Sequence, residues 1–231
     1  MTDSSFNFIA GWMSADAPHV ILRTMRANGW LRDHAPELDR LYGVPQRLEH
    51  HPEGDVGTHN ELVLEMAARL SRDPRVRYAA LVHDLGKGLT PQEHWPRHQG
   101  HEDLGVRPGL VLGKRLGVPK EWRRLGALVA RYHLRAHKSM SLSPRGLVRF
   151  FRDAGFFGRA DVFQNFLFAC EADARGRAGR QEIPYKEAPF LREAFCAADA
   201  TVDLRGAQQL HESRIRSVAA LGLSRDSGMW K

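Results

Sequence analysis

The chain has 231 residues, of which 42% are hydrophobic and 26% charged, so it can build a core of normal size without disulfide bonds. Its net charge of +7 fits an anionic partner such as a nucleotide or RNA, although a basic surface also serves plain solubility. The N-terminal residues lack the basic and apolar segments of a secretory signal, and no apolar run has the length of a membrane span. We therefore expect a cytoplasmic protein.

Apolar residues recur at intervals of three and four along almost the whole chain, and the alternation typical of strands is absent. We predict an all-α fold, in which Asn28 and Gly29 end the first helix and Thr58 caps the second, with Glu61 at its third position. The predicted helices cover residues 18–28, 59–70, 74–84, 101 onward, 119–137, 144–153, 161–173, 186–200 and 204–222. The predicted organisation is an N-terminal extension (1–17), one helical domain (18–222) and a flexible tail (223–231).

Several predicted helices carry a polar residue on their apolar face. His59 lies on the apolar stripe of helix 59–70, and His83 and His133 continue the stripes of helices 74–84 and 119–137. Asp173 continues the stripe of helix 161–173, and Asp84 directly follows His83. Spacings of three and four place such residues on the face turned to the core. We therefore expect a group of buried histidines and aspartates near helix ends.

This group predicts a metal site. A single buried histidine is ordinary, but an unpaired buried carboxylate costs several kcal/mol. A divalent cation would satisfy the imidazoles and the carboxylates together. Such ligands suit manganese, iron, cobalt, nickel or zinc, with magnesium as a further alternative, and the absence of cysteine among them argues against a structural zinc site.

The order His59, His83-Asp84, Asp173 resembles the H…HD…D signature of the HD superfamily of metal-dependent phosphohydrolases. The similarity extends through HHPEGDVGTHN, LEMAARLS, VRYAALVHDLGKGLTP, WPRHQGHE, EADARGR and PFLREAF. These segments closely resemble the C-terminal HD region of bacterial CCA-adding enzymes, the tRNA nucleotidyltransferases, from about residue 18 to about residue 221. The resemblance implies an HD-type helical bundle.

The resemblance also implies an enzyme that hydrolyses nucleotide phosphoesters, as a 2′,3′-cyclic phosphodiesterase, 2′-nucleotidase or phosphatase. Its metal ligands would be His59, His83, Asp84 and Asp173, with Asp84 the most important because a carboxylate can bridge to a second ion. Lys87 follows Asp84 by three residues. It is expected either to pair with the phosphate or to be a solvated lysine in a glycine-rich turn.

Three more histidines follow His83 and Asp84 in the sequence. His98 and His101 lie in the next loop and at the start of the helix after it, and His133 lies on helix 119–137. His98, His101 and His133 are expected to bind phosphate or, for His101 above all, to act as an acid; the alternative is a second metal site. We favour the phosphate and acid roles. His137, four residues after His133, is expected to line the same cleft.

Three arginines lie close in sequence to residues of the predicted site. Arg97 lies in the loop after the HD pair, and Arg175 and Arg177 directly follow Asp173. A basic loop beside a phosphate site is expected to bind a substrate phosphate or a tRNA backbone, and the alternative is a solvated basic turn.

A CCA-adding enzyme also needs a nucleotidyltransferase head with a glycine-rich segment and a paired-carboxylate motif, which this sequence lacks. We therefore do not expect the chain to add CCA. The alternative to an enzyme is a non-catalytic helical module that binds tRNA or a partner chain, but the four intact ligand positions favour the enzyme. A third hypothesis is a different nucleotide substrate, such as a deoxynucleotide or an alarmone. The sequence leaves the oligomeric state open, and a homodimer is one alternative.

Overall fold

The computed structural model describes residues 3–200 and 207–222, with side chains from residue 7 onward. These residues form helices joined by turns and contain no strand, only an isolated bridge between Pro45 and Asp55. The predicted all-α fold is confirmed. No helix in the described ranges is long and apolar enough to cross a membrane.

Each predicted helix has a counterpart, with ends displaced by a few residues, and the structure adds unpredicted helices at Asp3–Ser14, Trp30–His34 and Pro36–Asp39. The first six helices are α1 (Asp3–Ser14), α2 (Pro18–Ala27), α3 (Trp30–His34), α4 (Pro36–Asp39), α5 (Val56–Leu70) and α6 (Pro74–Val82). After 3₁₀ turns at Leu85–Leu89 and Gln92–His94 come α7 (His101–Leu104), α8 (Val106–Arg115) and α9 (Lys120–His137). A 3₁₀ turn at Ser139–Ser141 precedes α10 (Pro144–Asp153), α11 (Ala160–Arg175), α12 (Glu187–Asp199) and α13 (Ala207–Ala220). The predicted tail lies outside the described residues.

Helix α6 lies between α5, α9 and α11. A cluster rich in phenylalanine fills the space among α9, α10, α11 and α12. A smaller cluster joins α5, α6 and α11 through Val63, Met66, Ala67, Ala80 and Ala172. Each of these helices also contains or directly precedes a polar residue within four residues of this cluster: His59, His83 and Asp173. The packing of the three helices therefore brings these polar residues together.

Helix α1 is part of the packed body, although its residues were predicted to form an extension. Trp12 and Met13 are buried, and the Trp12 indole nitrogen donates to the carbonyl of Pro18 at 2.9 Å. Arg77 of α6 is 5% exposed and donates to the carbonyls of Met13 and Ala15 at 3.0 and 2.8 Å. A buried guanidinium on α6 therefore holds the end of α1.

The start of α5 differs from the prediction, because Asp55 rather than Thr58 is the cap. Asp55 Oδ1 accepts from the Thr58 N–H at 2.8 Å, and Asp55 Oδ2 accepts from the Gly43 N–H at 2.6 Å. The second contact closes the loop before α5. Glu61 does not form a capping box; its carboxylate is held by Arg23 and the Tyr42 hydroxyl, each at 2.9 Å.

The predicted helix from His101 onward divides at Gly105 into α7 and α8. The spacing of Leu104, Val111 and Leu112 predicts that all three face inward. Only Leu112 is buried, because the face that packs inward runs through His101, Gly105, Gly109 and Leu112. Leu104 and Val111, 43% and 48% exposed, line a cavity beside this face.

Gly86 lets the turn after α6 approach α7 closely. A Cβ atom added at Gly86 would overlap the carbonyl oxygen of His101 and lie 2.6 Å from the Gly105 nitrogen. The absence of a side chain at residue 86 therefore sets how near His101 comes to Asp84.

We expect Asp55→Ala to lower the free energy of unfolding by about 0.5–2 kcal/mol, because the first turn of α5 loses its cap. Asp55→Asn retains an oxygen acceptor and should lose less. Urea denaturation measures both. Equal losses of unfolding free energy in the two variants would show that the cap of α5 does not cause the destabilisation.

We expect Gly86→Ala to lower the free energy of unfolding by about 1–3 kcal/mol, because the new methyl group meets backbone atoms. Gly11→Ala is the matched control: Gly11 lies in α1, and a Cβ there meets nothing within 4 Å. Its effect should be neutral or stabilising. If the two substitutions change stability alike, the close approach at Gly86 does not control it.

Candidate metal centre

The polar residues predicted on apolar faces are buried at one place where helices end. His59 lies in the first turns of α5, His83 directly follows α6, His133 lies near the end of α9 and Asp173 near the end of α11. With Asp84 they are 0–3% exposed. The prediction that these residues face the core is confirmed.

The first group of ligand atoms joins His59, His83 and Asp173. Asp173 Oδ1 lies 3.1 Å from His59 Nε2 and 3.7 Å from His83 Nε2. Asp84 Oδ2 lies 3.2 Å from the same nitrogen of His83. The four residues predicted as metal ligands are therefore adjacent.

The second group joins Asp84, His101 and His133. Asp84 Oδ1 lies 3.2 Å from His101 Nε2 and 3.7 Å from His133 Nε2, and these two nitrogens are 3.4 Å apart. Asp84 therefore turns one oxygen toward each group.

Backbone hydrogen bonds set the orientation of three rings. In His83, His101 and His133 the Nδ1 atom lies 2.7–3.0 Å from a carbonyl oxygen three or four residues earlier. A carbonyl oxygen only accepts, so Nδ1 carries the hydrogen and Nε2 of the neutral ring has a free lone pair. Three lone pairs consequently point toward the two carboxylates.

A cation satisfies this arrangement. His83 Nε2 and Asp84 Oδ1 are buried, and neither has a hydrogen-bond partner within the described ranges. A metal with bonds of about 2.1 Å keeps neighbouring ligand atoms about 3.0–3.4 Å apart. The observed spacings within the two groups, 3.1–3.7 Å, are close to this. The residues present therefore fit a divalent metal.

The charges of the centre favour the same conclusion. Burial acts to raise the pKa of Asp84 and of Asp173, but neighbouring imidazoles, and Lys87 for Asp84, hold both pKa values well below the usual range. Burial acts to lower the pKa of His83, but the two carboxylates raise it to about 10, so its Nε2 carries a proton at neutral pH that a bound cation would replace. For His133, burial dominates and lowers the pKa to about 3. Both carboxylates are ionised at neutral pH, and the space between them favours positive charge.

Lys87 is buried, with 7% exposure, so the alternative of a solvated lysine is wrong. Its Nζ donates to Asp84 Oδ2 at 2.6 Å and to the amide oxygen of Gln46 at 2.6 Å. An ammonium has three hydrogens, so one remains for a further acceptor.

Glu53 contacts the centre, although no sequence pattern predicted it. Its Oε1 lies 2.8 Å from His59 Nδ1 and 3.1 Å from His51 Nδ1, and its Oε2 accepts from the Ala178 N–H at 3.1 Å. A carboxylate 2.8 Å from Nδ1 favours the ring form in which Nδ1 is protonated and Nε2 is free to bind a metal. Glu53 lies in a loop, where helical spacing gives no signal.

His137 supports Asp173 from the other side. Its Nε2 lies 2.6 Å from Asp173 Oδ2, and its Nδ1 lies 3.0 Å from the Tyr185 hydroxyl. The position of His137, four residues after His133 on α9, is the sequence signal that placed it in the same cleft.

His98 belongs to neither ligand group. Its Nδ1 lies 2.7 Å from Thr90 Oγ1 and its Nε2 lies 2.8 Å from the carbonyl oxygen of Pro45. Both ring nitrogens already have partners, so His98 connects two loops, and we leave it out of the ligand set proposed below.

The three predicted arginines have different surroundings. Arg177 Nη2 lies 3.7 Å from Asp173 Oδ1, beside the first group. Arg175 is committed to the loop that follows α11, through Glu171 at 2.7 Å and the carbonyl of Gln181 at 2.7 and 2.9 Å. Arg97 is exposed and lines a cavity that also contacts Lys87 and His101.

Comparison with known proteins identifies related chains. The family model for the HD domain matches residues 56–200. The chain is 45% identical over 211 residues to the Multifunctional CCA protein of Nitrosococcus oceani, an alignment that covers 87% of this chain and 52% of that protein. It is 47% identical over 208 residues to the protein of the same name from Methylococcus capsulatus, with 90% and 48% covered. The chain spans about half the length of these curated relatives.

The matched segment begins at the start of α5 and ends just after α12, so it contains every residue of the two ligand groups. HD domains bind divalent metals and form a superfamily of metal-dependent phosphohydrolases. The resemblance to this superfamily and to CCA-adding enzymes is confirmed. The chain belongs to the HD domain family.

Proposed function

We propose that the chain is a metal-dependent phosphohydrolase that acts on nucleotide phosphoesters, as a 2′,3′-cyclic phosphodiesterase, 2′-nucleotidase or phosphatase. One observation carries the proposal: the two oxygens of Asp84 each face a separate group of imidazole Nε2 atoms, whose rings are oriented through Nδ1 by backbone carbonyls. Such groups hold metal ions, and they lie beside cavities lined with cationic side chains.

The ligand groups support two ions that share Asp84. His59, His83 and Asp173 would hold one ion, and His101 and His133 would hold the second. The Nε2 atoms of His101 and His133 face Asp84 and each other. Their positions favour the metal role over the phosphate and acid roles. Mixed imidazole and carboxylate ligands suit manganese, iron, cobalt, nickel or zinc better than magnesium. A bound ion would acidify water and offset charge on the phosphate oxygens.

The chain's own cations would hold the phosphate. Lys87 neutralises Asp84 and has one hydrogen left for a phosphate oxygen. The Nε atom of Arg177 is buried and has no hydrogen-bond partner among the residues described. Hydrolysis adds water across one P–O ester bond: the water oxygen joins phosphorus, and the leaving oxygen takes a proton. Burial of the centre keeps bulk water away and strengthens these electrostatic contacts.

The chain's relatives are named for CCA, and its basic charge suits RNA. A tRNA substrate or partner therefore remains part of the proposal. The competing non-catalytic module predicts salt-sensitive RNA binding without turnover.

We expect metal-stripped protein to hydrolyse 2′,3′-cyclic AMP only after nickel, cobalt, manganese, zinc or magnesium is added. Asp84→Ala should lower kcat/KM by more than about 100-fold, because loss of a group that merely supports a ligand already costs about 10- to 100-fold. Steady-state kinetics and circular dichroism measure turnover and helix content.

Asp33→Ala is the control, because Asp33 is an exposed aspartate on α3 that pairs only locally with Arg32. It should retain activity. Full activity of Asp84→Ala, or no turnover with any of the five ions, would contradict the phosphohydrolase and favour the binding module.

We expect two ions per chain in the loaded protein and one in His101→Ala, because the second group loses a ligand while the first is intact. Metal analysis after dialysis against a weak chelator gives the stoichiometry. A wild-type value of one ion, unchanged in His101→Ala, would assign His101 to the phosphate or acid role instead.

A further inference from the structure

A cavity of about 360 Å³ leads from the surface to the metal centre. Its inner end is buried, since Lys87 and His101 are 7% and 5% exposed and contact Asp84. Its outer end is formed by exposed residues, among them Arg47, Arg97 and Lys138. The cavity is larger than a single phosphate requires, so a substrate whose reacting phosphate lies at the inner end extends outward through it.

The lining of this cavity is strongly cationic. It contains Arg47, Lys87, Arg97 and Lys138 and no aspartate or glutamate. Within the described ranges, neither Arg97 nor Lys138 takes part in a salt bridge. Arg47 has one, to Glu49 at 3.5 Å, but both side chains are exposed, and such pairs contribute little. The outer end therefore has positive charge available for a ligand.

Arg97 and Lys138, the two cations of the cavity lining without a salt bridge in the described ranges, lie on segments that also carry residues of the metal centre. Arg97 precedes His98, whose ring is fixed between Thr90 and the carbonyl of Pro45 and whose own carbonyl holds the His101 ring. Lys138 directly follows α9, five residues after His133. The positions of both cations are thus tied to those of His101 and His133.

The lining suits a phosphate better than a nucleobase. Its only side chains without a polar group are those of Pro96 and Leu134, and it has no phenylalanine, tyrosine or tryptophan; its four rings are imidazoles, two of which, His98 and His101, are held by hydrogen bonds. Guanidinium and ammonium groups form charge-assisted hydrogen bonds to phosphate oxygens.

We propose that Arg97 and Lys138, with Arg47 beside them, form a subsite for a second phosphate of the substrate. This inference rests on the proposed function and narrows it: the preferred substrates are nucleotide phosphoesters that carry a further phosphate away from the one hydrolysed. A nucleotide with a cyclic phosphate at 2′,3′ and a phosphate at 5′ is the simplest of this class.

The test compares 2′,3′-cyclic adenosine phosphate with and without a 5′-phosphate as substrates of the metal-loaded protein. We expect kcat/KM to be at least about 10-fold higher for the 5′-phosphorylated compound, mainly through KM, because hydrogen bonds to charged groups contribute at this level. The double variant Arg97→Gln, Lys138→Gln should bring the ratio close to one. Rising salt should lower the ratio in the wild type, because the outer end is exposed.

Lys120→Gln is the control, since Lys120 is an exposed lysine outside the cavity. It lies at the start of α9, the helix that Lys138 follows. It should keep the wild-type ratio. A wild-type ratio near one, with both compounds hydrolysed, would overturn the subsite and leave the phosphohydrolase intact. A ratio that survives in the double variant would overturn it as well.

Equilibrium binding separates the subsite from catalysis. By calorimetry, adenosine 3′,5′-bisphosphate should bind the metal-loaded protein at least about 10-fold more tightly than adenosine 3′-phosphate, and the double variant should lose this difference. If neither cyclic compound is hydrolysed but this difference is found, the subsite stands and the proposed activity fails. Equal affinities for the two ligands in the wild type would overturn the subsite.

Discussion

The buried carboxylate of Asp84 is the constraint on which the arrangement of the helices depends. With 1% exposure, it would be strongly destabilising unless cations and hydrogen-bond donors surrounded it. Lys87 supplies a charge at 2.6 Å, and imidazoles approach both oxygens. These partners come from α6, the turn after it, α7 and α9, so these segments must meet at one point. The packing of these segments therefore positions the residues of the centre.

The buried part of the centre could be predicted from the sequence because helical periodicity decides which side chains face inward. Spacings of three and four placed His59, His83, His133 and Asp173 in the core, and the structure agrees. Spacing alone predicted a metal site, and the family resemblance supplied the ligand set. Glu53 could not be found in this way. It lies in a loop, and its contacts to His59 and Ala178 join residues distant in the sequence.

The differences at helix ends have physical reasons of the same kind. Thr58 and Asp55 are both chemically suitable caps, and the contact of Asp55 with Gly43, twelve residues earlier, favours the earlier start of α5. Leu104 and Val111 are seven residues apart and lie on the same side, but the side that packs inward is the one with His101, Gly105, Gly109 and Leu112. Sequence patterns describe a helix well, but tertiary contacts decide where it begins and ends.

The bonds from Nδ1 of His83 and His133 to carbonyls of the preceding turn have a consequence for folding. Each ring is oriented by the same helix end that carries it, so its binding direction is defined as soon as that segment forms. The rotational freedom that a ligand normally loses on metal binding is already lost with the formation of local structure. Assembly then requires only that a few preoriented helix ends come together, a search with far fewer degrees of freedom than one among mobile side chains.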